Sequence, residues 1–222
     1  MNLNKHLDFF EPADLKNSAV HVIGVGAMGS RIVDLLARLG VENINIYDFD
    51  TVEEYNITNQ LYTSEDIGKE KVVALQTHIY KINPKAIKRI YDKGYDKQSL
   101  NGYVFLCVDS IELRKTIAEN NKMNPNIKAM FDTRMRLTDA QSYGADWNKP
   151  EQVQAFLSSM DFSDTEAVEA TPISACGTTL SVAPTVVMTA AVTVSNFMNI
   201  VKGKDIKQVI LLDAFSFDIN AF

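Results

Sequence analysis

The sequence has few of the residues on which several classes of protein depend. Among its 222 residues only two are cysteine, Cys107 and Cys176, and only three are histidine. Two cysteines without a CxxC pair cannot form a disulfide framework or a cysteine-rich zinc site, so we expect no bound zinc. No basic run is present and the formal charge is -6, which disfavours nucleic acid as a partner.

Uncharged segments long enough to cross a membrane are also scarce. The one strongly apolar stretch of nearly twenty residues, 180–201, contains Pro184 and several serine, threonine and asparagine residues. This composition predicts a buried helix and not a membrane span. Near the N-terminus, Asp8 and Glu11 interrupt what would have to be the apolar core of a secretory signal. We therefore expect a cytoplasmic protein without a membrane partner.

The first half of the chain alternates apolar runs with helical periodicity. With 46% hydrophobic and 23% charged residues, the composition is that of a folded globular protein. Short apolar runs predict strands at 19–24, 41–48 and 86–91, and apolar residues at helical spacing predict helices at 27–39 and 69–82. Such a βαβαβ unit is typical of a parallel sheet covered by helices.

The second half repeats the alternation less regularly. Strands are predicted at 103–108 and 127–132 around a helix through Leu113 and Ile117, and a weaker strand at 134–143. The polar segment 146–164 is predicted as a loop with one short helix, Pro184 begins a long helix that ends near Lys202, and 209–217 is a closing strand. We interpret 1–222 as one Rossmann-like, doubly wound α/β domain, mostly parallel with antiparallel additions in the C-terminal half. Its halves are a nucleotide-binding part, about 20–133, and a partner-binding and dimer part, 134–222.

A glycine-rich turn joins the first strand to the first helix. Gly24, Gly26 and Gly29 form a GxGxxG pattern, in which backbone N–H groups and the helix dipole favour a phosphate. Asp48 lies at the end of the second strand, where a carboxylate can accept hydrogen bonds from a ribose. Together these features indicate an adenine nucleotide, although a tight turn followed by a solvated acid would give the same residues.

The segment after Asp48 distinguishes ATP from NAD. It reads DFDTVEEYNITNQLYTSEDIGKEKV and resembles the signature of the ThiF, MoeB and ubiquitin-activating enzymes, D-x-D-x-V-x-x-x-N-x-x-R-Q followed by D-I-G-x-x-K. Two later blocks also resemble this family: CVDSIELRK, which contains Asp109 and Arg114, and CGTTLSVAP, which contains Cys176 and Pro184. The residues that match the first signature are Asp48, Asp50, Val52, Asn56, Gln60, Gly68 and Lys71.

The resemblance implies a role for each matching residue. Gly24, Gly26 and Gly29 would lie under the phosphates of ATP, with Asp48 on the ribose and with Asp50, Asn56, Gln60 and Lys71 completing the nucleotide site. Asp109 would hold a magnesium ion, and Cys176 aligns with a cysteine that joins the carrier through sulfur in some members. Without the family, Lys71 is equally a solvated helix lysine, Asp109 a helix N-cap and Cys176 a small buried thiol.

The sequence departs from the family at the arginine of the R-Q element. Asn59 stands there, and no arginine precedes Arg31, although family members often lend an N-terminal arginine to a partner's site. Arg31 lies on the first turn of the helix that follows the glycines, so we expect it to supply the missing cation.

The resemblance implies an ATP- and magnesium-dependent adenylyltransferase. Its substrate would be the C-terminal carboxylate of a ubiquitin-like or sulfur-carrier protein or of a peptide, and the enzyme would work as a homodimer. Asn59 leaves open a second function, a degenerate member that binds nucleotide or partner without catalysis. A nicotinamide-dependent oxidoreductase would share the glycines and Asp48 but gives no reason for Asn56, Lys71 and Asp109.

Overall fold

Eight strands and six α-helices make up the fold in a computed structural model that describes residues 1–170 and 180–222. The strands are β1 (Val20–Ile23), β2 (Ile44–Tyr47), β3 (Ile87–Tyr91), β4 (Gly102–Leu106), β5 (Ile127–Met135), β6 (Asp139–Asp146), β7 (Val209–Asp213) and β8 (Asp218–Ala221). The helices are α1 (Ala27–Arg38), α2 (Lys71–Tyr80), α3 (Ile111–Asn121), α4 (Pro150–Ser158), α5 (Asp164–Glu169) and α6 (Ala183–Val201).

All eight strands belong to one sheet in the order β3-β2-β1-β4-β5-β6-β7-β8. The first five strands are parallel, and β6, β7 and β8 are added antiparallel. The predicted doubly wound fold with antiparallel additions is therefore confirmed. The order in which successive strands are added to the sheet reverses between β1 and β4. The carboxyl edge at such a switch point is where ligands bind in α/β proteins.

Helices cover both faces of the sheet and enclose two hydrophobic cores. Helices α1, α2 and α6 pack on one face, where Phe197 of α6 contacts the rings of Phe105 and Phe131. Helices α3 and α4 pack on the other face around Trp147 and Phe156. The indole N–H of Trp147 donates to the carbonyl of Asn121, so the polar group of this buried ring is satisfied.

The long uncharged helix α6 is a core helix of the fold. It begins with Pro184 in its first turn, where a proline ring fits because the N–H there has no helical acceptor. By length and composition alone α6 could cross a membrane, but it packs along α1 and over β5 and β6. Its buried threonines satisfy their hydroxyl groups locally, since Thr193 donates to the carbonyl of Thr189 at 2.8 Å.

Two predictions in the C-terminal half were wrong, whereas the short helix predicted within 146–164 is present as α4. The strand predicted at 134–143 is divided, because β5 continues to Met135 and pairs through a short hairpin with β6. The polar segment 146–164 holds helix α4, and a further helix, α5, begins at its end. The closing strand predicted at 209–217 ends at Asp213, and β8, which the sequence did not reveal, forms the sheet edge.

A buried carboxylate on β5 joins three parts of the second half. Asp132 is fully buried and accepts hydrogen bonds from Arg114 of α3 and from Arg134, whose Nε lies 2.7 Å from Oδ2. The Arg134 guanidinium also donates to Ser159 after α4 and lies over the ring of Tyr143 in β6. Two cations around one buried anion leave no uncompensated carboxylate in the interior.

A histidine is buried on β1 beside a tyrosine of β2. His21 Nδ1 lies 2.8 Å from the hydroxyl of Tyr47, whereas its Nε2 has no hydrogen-bond partner among the described residues. Burial lowers the pKa of His21 to about 4, so the ring is neutral in the folded protein at neutral pH. The unfolded chain binds a proton on this ring near pH 6.5, which the folded chain does not.

We expect His21 to make the protein less stable as the pH falls from about 6.5 to about 4. Because the folded pKa is depressed, the stabilising effect is complete above pH 6.5 and is lost progressively toward pH 4, by about 3 kcal/mol in total. Urea unfolding between pH 4.5 and 7.5 should show a steeper decline for the parent than for His21→Gln. Equal slopes for the two proteins would contradict this assignment.

Candidate nucleotide site

The three glycines after β1 have different structural reasons to be glycine. A Cβ on Gly24, whose φ is +87°, would lie 2.7 Å from the backbone of Cys107, and a Cβ on Gly29 would lie 1.9 Å from the carbonyl oxygen of Gly24. Both glycines are therefore needed for strand and helix to pack. A Cβ on Gly26 would meet only Gln60 Nε2, at 3.9 Å. Only at Gly26 does the protein itself leave the space open.

Asp48 holds the glycine turn in place. Its Oδ2 accepts the N–H of Val25 at 2.8 Å, and its Oδ1 accepts the N–H of Asp50 at 2.9 Å. Burial raises the pKa of Asp48, and the hydrogen bonds from Asp50 and Val25 oppose that effect. The alternative of a fully solvated strand-end acid is excluded. Each oxygen keeps a lone pair that can accept from a ribose hydroxyl.

Lys71 is a buried cation at the edge of the site. It is the first residue of α2 and only 7% exposed, and its Nζ lies 2.7 Å from Oδ2 of Asp50. The Asp50 side chain is about half exposed, so the pair lies at the boundary between protein and solvent. Lys71 is thus not the solvated helix lysine that the sequence allowed, and Asp50 holds it beside the turn that Asp48 organises.

A tyrosine that the sequence did not single out connects the glycine turn to α2. The buried hydroxyl of Tyr62 lies 2.7 Å from the carbonyl oxygen of Val25 and 3.3 Å from that of Lys71. The hydroxyl of Ser30 accepts the N–H of Leu61 at 3.2 Å and attaches the same loop to α1. No motif marks Tyr62, because its role depends on contacts between segments that are distant in sequence.

A loop that contains Asn56 and Gln60 faces the glycine turn, and Arg31 contacts this loop from α1. Asn56 uses its side-chain oxygen to accept the N–H of Glu53 at 2.9 Å, which shapes the loop. The Arg31 Nη2 donates to the carbonyl of Gln60 at 3.0 Å. Arg31 Nε and Gln60 Oε1 are buried and have no hydrogen-bond partner among the described residues. Buried polar atoms left unpaired are expected where a polar ligand completes a site.

Asp109 lies on the other side of the switch point, in the loop after β4. The side chain is exposed, accepts the N–H of Ser110 at 3.0 Å and is in no ion pair within the described part of the chain. Ser110, and not Asp109, caps helix α3, because its hydroxyl accepts the N–H of Leu113 at 3.1 Å. The N-cap interpretation of Asp109 was therefore wrong. Its carboxylate remains available to a cation.

Two of the predicted site residues, Asn59 and Cys176, relate to the segment that precedes α6: the first contacts it and the second belongs to it. Asn59 donates a hydrogen bond to the hydroxyl of Ser181, so the side chain at the position of the family arginine contacts the start of that helix. Cys176 lies outside the described residues. The other cysteine, Cys107, is partly buried against the core, and desolvation raises the pKa of its thiol to about 12, which disfavours a reactive thiolate.

These residues fit a nucleoside triphosphate with magnesium. The open space at Gly26, the unpaired atoms of Arg31 and Gln60 and the buried cation of Lys71 are arranged around one turn. Asp109 offers the single hard carboxylate that magnesium needs, since this ion usually keeps several water ligands. Within residues 1–170 and 180–222 no group of three or more histidine, cysteine or acidic side chains could hold a metal ion.

Comparisons with known proteins agree with this geometry. The ThiF family signature matches residues 6–222. The chain is 30% identical over 131 residues to ubiquitin-like modifier-activating enzyme 5 of Drosophila mojavensis, covering 50% of this chain and 33% of that protein. It is 34% identical over 91 residues to adenylyltransferase and sulfurtransferase UBA4 of Candida albicans, covering 40% and 21%. The chain thus spans a third or less of these relatives.

Solved structures with the same fold are more distant in sequence. PaaA superposes with a TM-score of 0.70 at 16% identity, covering 99% of this chain and 68% of PaaA. E. coli MccB in a complex with AMPCPP and MccA superposes with a TM-score of 0.71 at 16% identity, covering 95% of this chain and 65% of MccB. At this identity the likeness establishes the fold alone.

We expect the glycines to separate folding from nucleotide binding. Gly29→Ala should destabilise the protein by about 3 kcal/mol or more, because the new methyl group collides with the Gly24 carbonyl. Gly26→Ala should cost at most about 1 kcal/mol and weaken ATP binding at least ~10-fold, because its methyl group occupies only the ligand space. Thermal unfolding and calorimetric titration measure the two effects. Unchanged ATP affinity in Gly26→Ala would contradict the assigned site.

Proposed function

Because the chain belongs to the ThiF family, we propose that it is an ATP-dependent adenylyltransferase. Its substrate is the C-terminal carboxylate of a ubiquitin-like or sulfur-carrier protein or of a peptide. The observation that carries this proposal is the buried cation of Lys71. Asp50 holds its ammonium group, and the Tyr62 hydroxyl contacts both its backbone and the glycine turn at Val25. A fixed lysine is a common partner of phosphate groups, and a triphosphate carries more negative charge to offset than the pyrophosphate of a dinucleotide.

The reaction joins a carboxylate oxygen of the substrate to the α-phosphorus of ATP and breaks the bond to the β-phosphate, so that pyrophosphate leaves. Negative charge spreads over the phosphate oxygens as this bond breaks, and cations fixed in place stabilise it. Lys71 provides such a charge, and its pairing with Asp50 fixes the ammonium before the nucleotide binds. Asp48 orients the nucleotide through its ribose and fixes the glycine turn through Val25.

Asp109 is proposed to hold magnesium. When bound, the ion would supply positive charge next to the phosphate oxygens. Asp109 can present its carboxylate because Ser110 has taken over the capping of α3. The backbone of the preceding Val108 is fixed, since its carbonyl accepts hydrogen bonds from the Arg114 guanidinium. Arg114 therefore positions the aspartate without contacting the nucleotide.

We infer the class of the substrate from the names of the relatives. Ubiquitin-like modifier-activating enzyme 5 is named for activating ubiquitin-like modifiers, and UBA4 is named an adenylyltransferase and sulfurtransferase. MccB is solved with ATP and with MccA. We further propose a cytoplasmic homodimer. The uncharged helix α6 exposes Val187, and the hairpin after β7 exposes Phe215 and Phe217, so apolar surface is present for a second copy to cover.

A second function, nucleotide or partner binding without catalysis, is favoured by Asn59. Its amide donates to Ser181, and an asparagine amide carries no charge with which to stabilise phosphate. ATP binding without any pyrophosphate exchange would support this alternative over the adenylyltransferase.

We expect ATP–pyrophosphate exchange in the presence of carrier proteins encoded nearby. Lys71→Ala and Asp109→Ala should each lower the exchange rate at least ~100-fold, because each removes a charge next to the phosphates. Lys69→Ala and Asp92→Ala are matched controls: Lys69 pairs with Asp66, Asp92 follows the edge strand β3, and both should retain exchange. Tighter binding of NAD than of ATP would contradict the proposal.

Arg31 is expected to replace the arginine missing at Asn59. Its guanidinium donates to the Gln60 carbonyl, and its buried Nε has no partner among the described residues. Arg31→Ala should therefore lower exchange at least ~100-fold, and Asn59→Arg should restore part of the loss. Arg38→Ala is the control, because Arg38 lies on the same helix and pairs with Asp34 at the surface. If Arg31→Ala exchanges at the parent rate, the cation comes from elsewhere.

A further inference from the structure

A second polar cavity lies at the opposite edge of the sheet from the nucleotide site. It has a volume of about 400 Å³ and is lined by residues from the amino-terminal ends of β4 and β5, the C-terminal end of α6 and the turn before β1. Three lysines face it, Lys16, Lys128 and Lys202, together with Tyr103 and one acid, Asp14. The five residues of β4 separate this cavity from the carboxyl edge by about 16 Å.

The three lysines have no carboxylate partner within hydrogen-bonding distance in the described part of the chain, although nine other ion pairs are present there. Lys202 Nζ lies 3.7 Å from the centre of the Phe9 ring, and Lys128 Nζ lies 5.7 Å from the centre of the Tyr103 ring. Aromatic faces hold an ammonium group in place without neutralising it, and its N–H donors stay free.

Opposing charges reduce this positive potential but do not cancel it. Asp14 lines the cavity and Asp146 acts electrostatically on Tyr103, so two negative charges oppose the three positive ones. The C-terminal end of α6 adds the equivalent of about half a negative charge from the helix dipole, and Lys202 lies directly at that end. A net positive cavity remains on a protein whose formal charge is -6. Lysines scattered over a surface would not converge on one concave space.

We propose that this cavity binds a small anion of the phosphate class that carries two or more negative charges. The three ammonium groups bind its oxygens, and Tyr103 forms the wall on which Lys128 rests. A volume near 400 Å³ suits a small phosphorylated compound and not a folded partner. The site is separate from the nucleotide site and does not depend on the activity proposed for it.

Magnesium-free inorganic pyrophosphate is the probe, titrated calorimetrically into Lys71→Ala so that the nucleotide site is silenced. Adding Lys128→Gln and Lys202→Gln should weaken binding at least ~10-fold, because two of three charges are lost. Adding Lys97→Gln and Lys122→Gln instead should leave the affinity unchanged, since these exposed lysines also lack ion pairs within the described residues but lie away from the cavity. Equal affinity in the two variants would overturn the proposal.

Footprinting on the unaltered protein tests the same point without relying on variants that fold poorly. Pyrophosphate should protect Lys128 and Lys202 from an amine-acetylating reagent, read by mass spectrometry, while Lys97 and Lys122 stay equally reactive. Uniform reactivity of all four lysines with and without pyrophosphate would overturn the proposal. Loss of ATP–pyrophosphate exchange bears only on the nucleotide site, so failure of one assignment is distinguishable from failure of the other.

Discussion

The ion cluster around Asp132 is the constraint on which the second half of the molecule depends. A fully buried carboxylate costs several kcal/mol to desolvate, and only paired and hydrogen-bonded cations recover that cost. Arg114 and Arg134 supply them from α3 and from the same strand. The two guanidinium groups also donate hydrogen bonds to the backbone around them, Arg114 to the Val108 carbonyl and Arg134 to Ser159 after α4. The loop that presents Asp109 is therefore fixed from within the core.

On the other side of the switch point, hydrogen bonds of Asp48 and Tyr62 have the corresponding role. Asp48 accepts from Val25, and the Tyr62 hydroxyl donates to a carbonyl of the same turn, so the turn is held on both sides. Lys71 enters this arrangement from α2 and is held by Asp50. The site is thus assembled from a rigid turn and a rigid aspartate loop, each fixed by contacts that do not involve a ligand. Such preorganisation is what electrostatic stabilisation of a transition state requires.

The sequence predicted the fold better than it predicted the surroundings of the site. Apolar runs and helical periodicity indicated the parallel half, because each of its elements has a clear local signal. The edge strand β8 was missed because all of its residues are exposed. Its sequence therefore lacks the alternation of apolar and polar residues that marks a strand with one face on a core. The burial of Lys71 and the contacts of Tyr62 and Arg134 could not be predicted, because their partners lie in other segments and are brought close only by folding.

The close approach of Gly24 and Gly29 also affects how related sequences should be compared. Since folding alone demands these two positions, a descendant that had stopped using nucleotide would be expected to retain both, and their presence carries little information about catalysis. Gly26 has no such packing requirement and is free to drift once no ligand occupies its space. Among the three glycines, Gly26 is therefore the position at which a lineage that has lost nucleotide binding should first show substitutions.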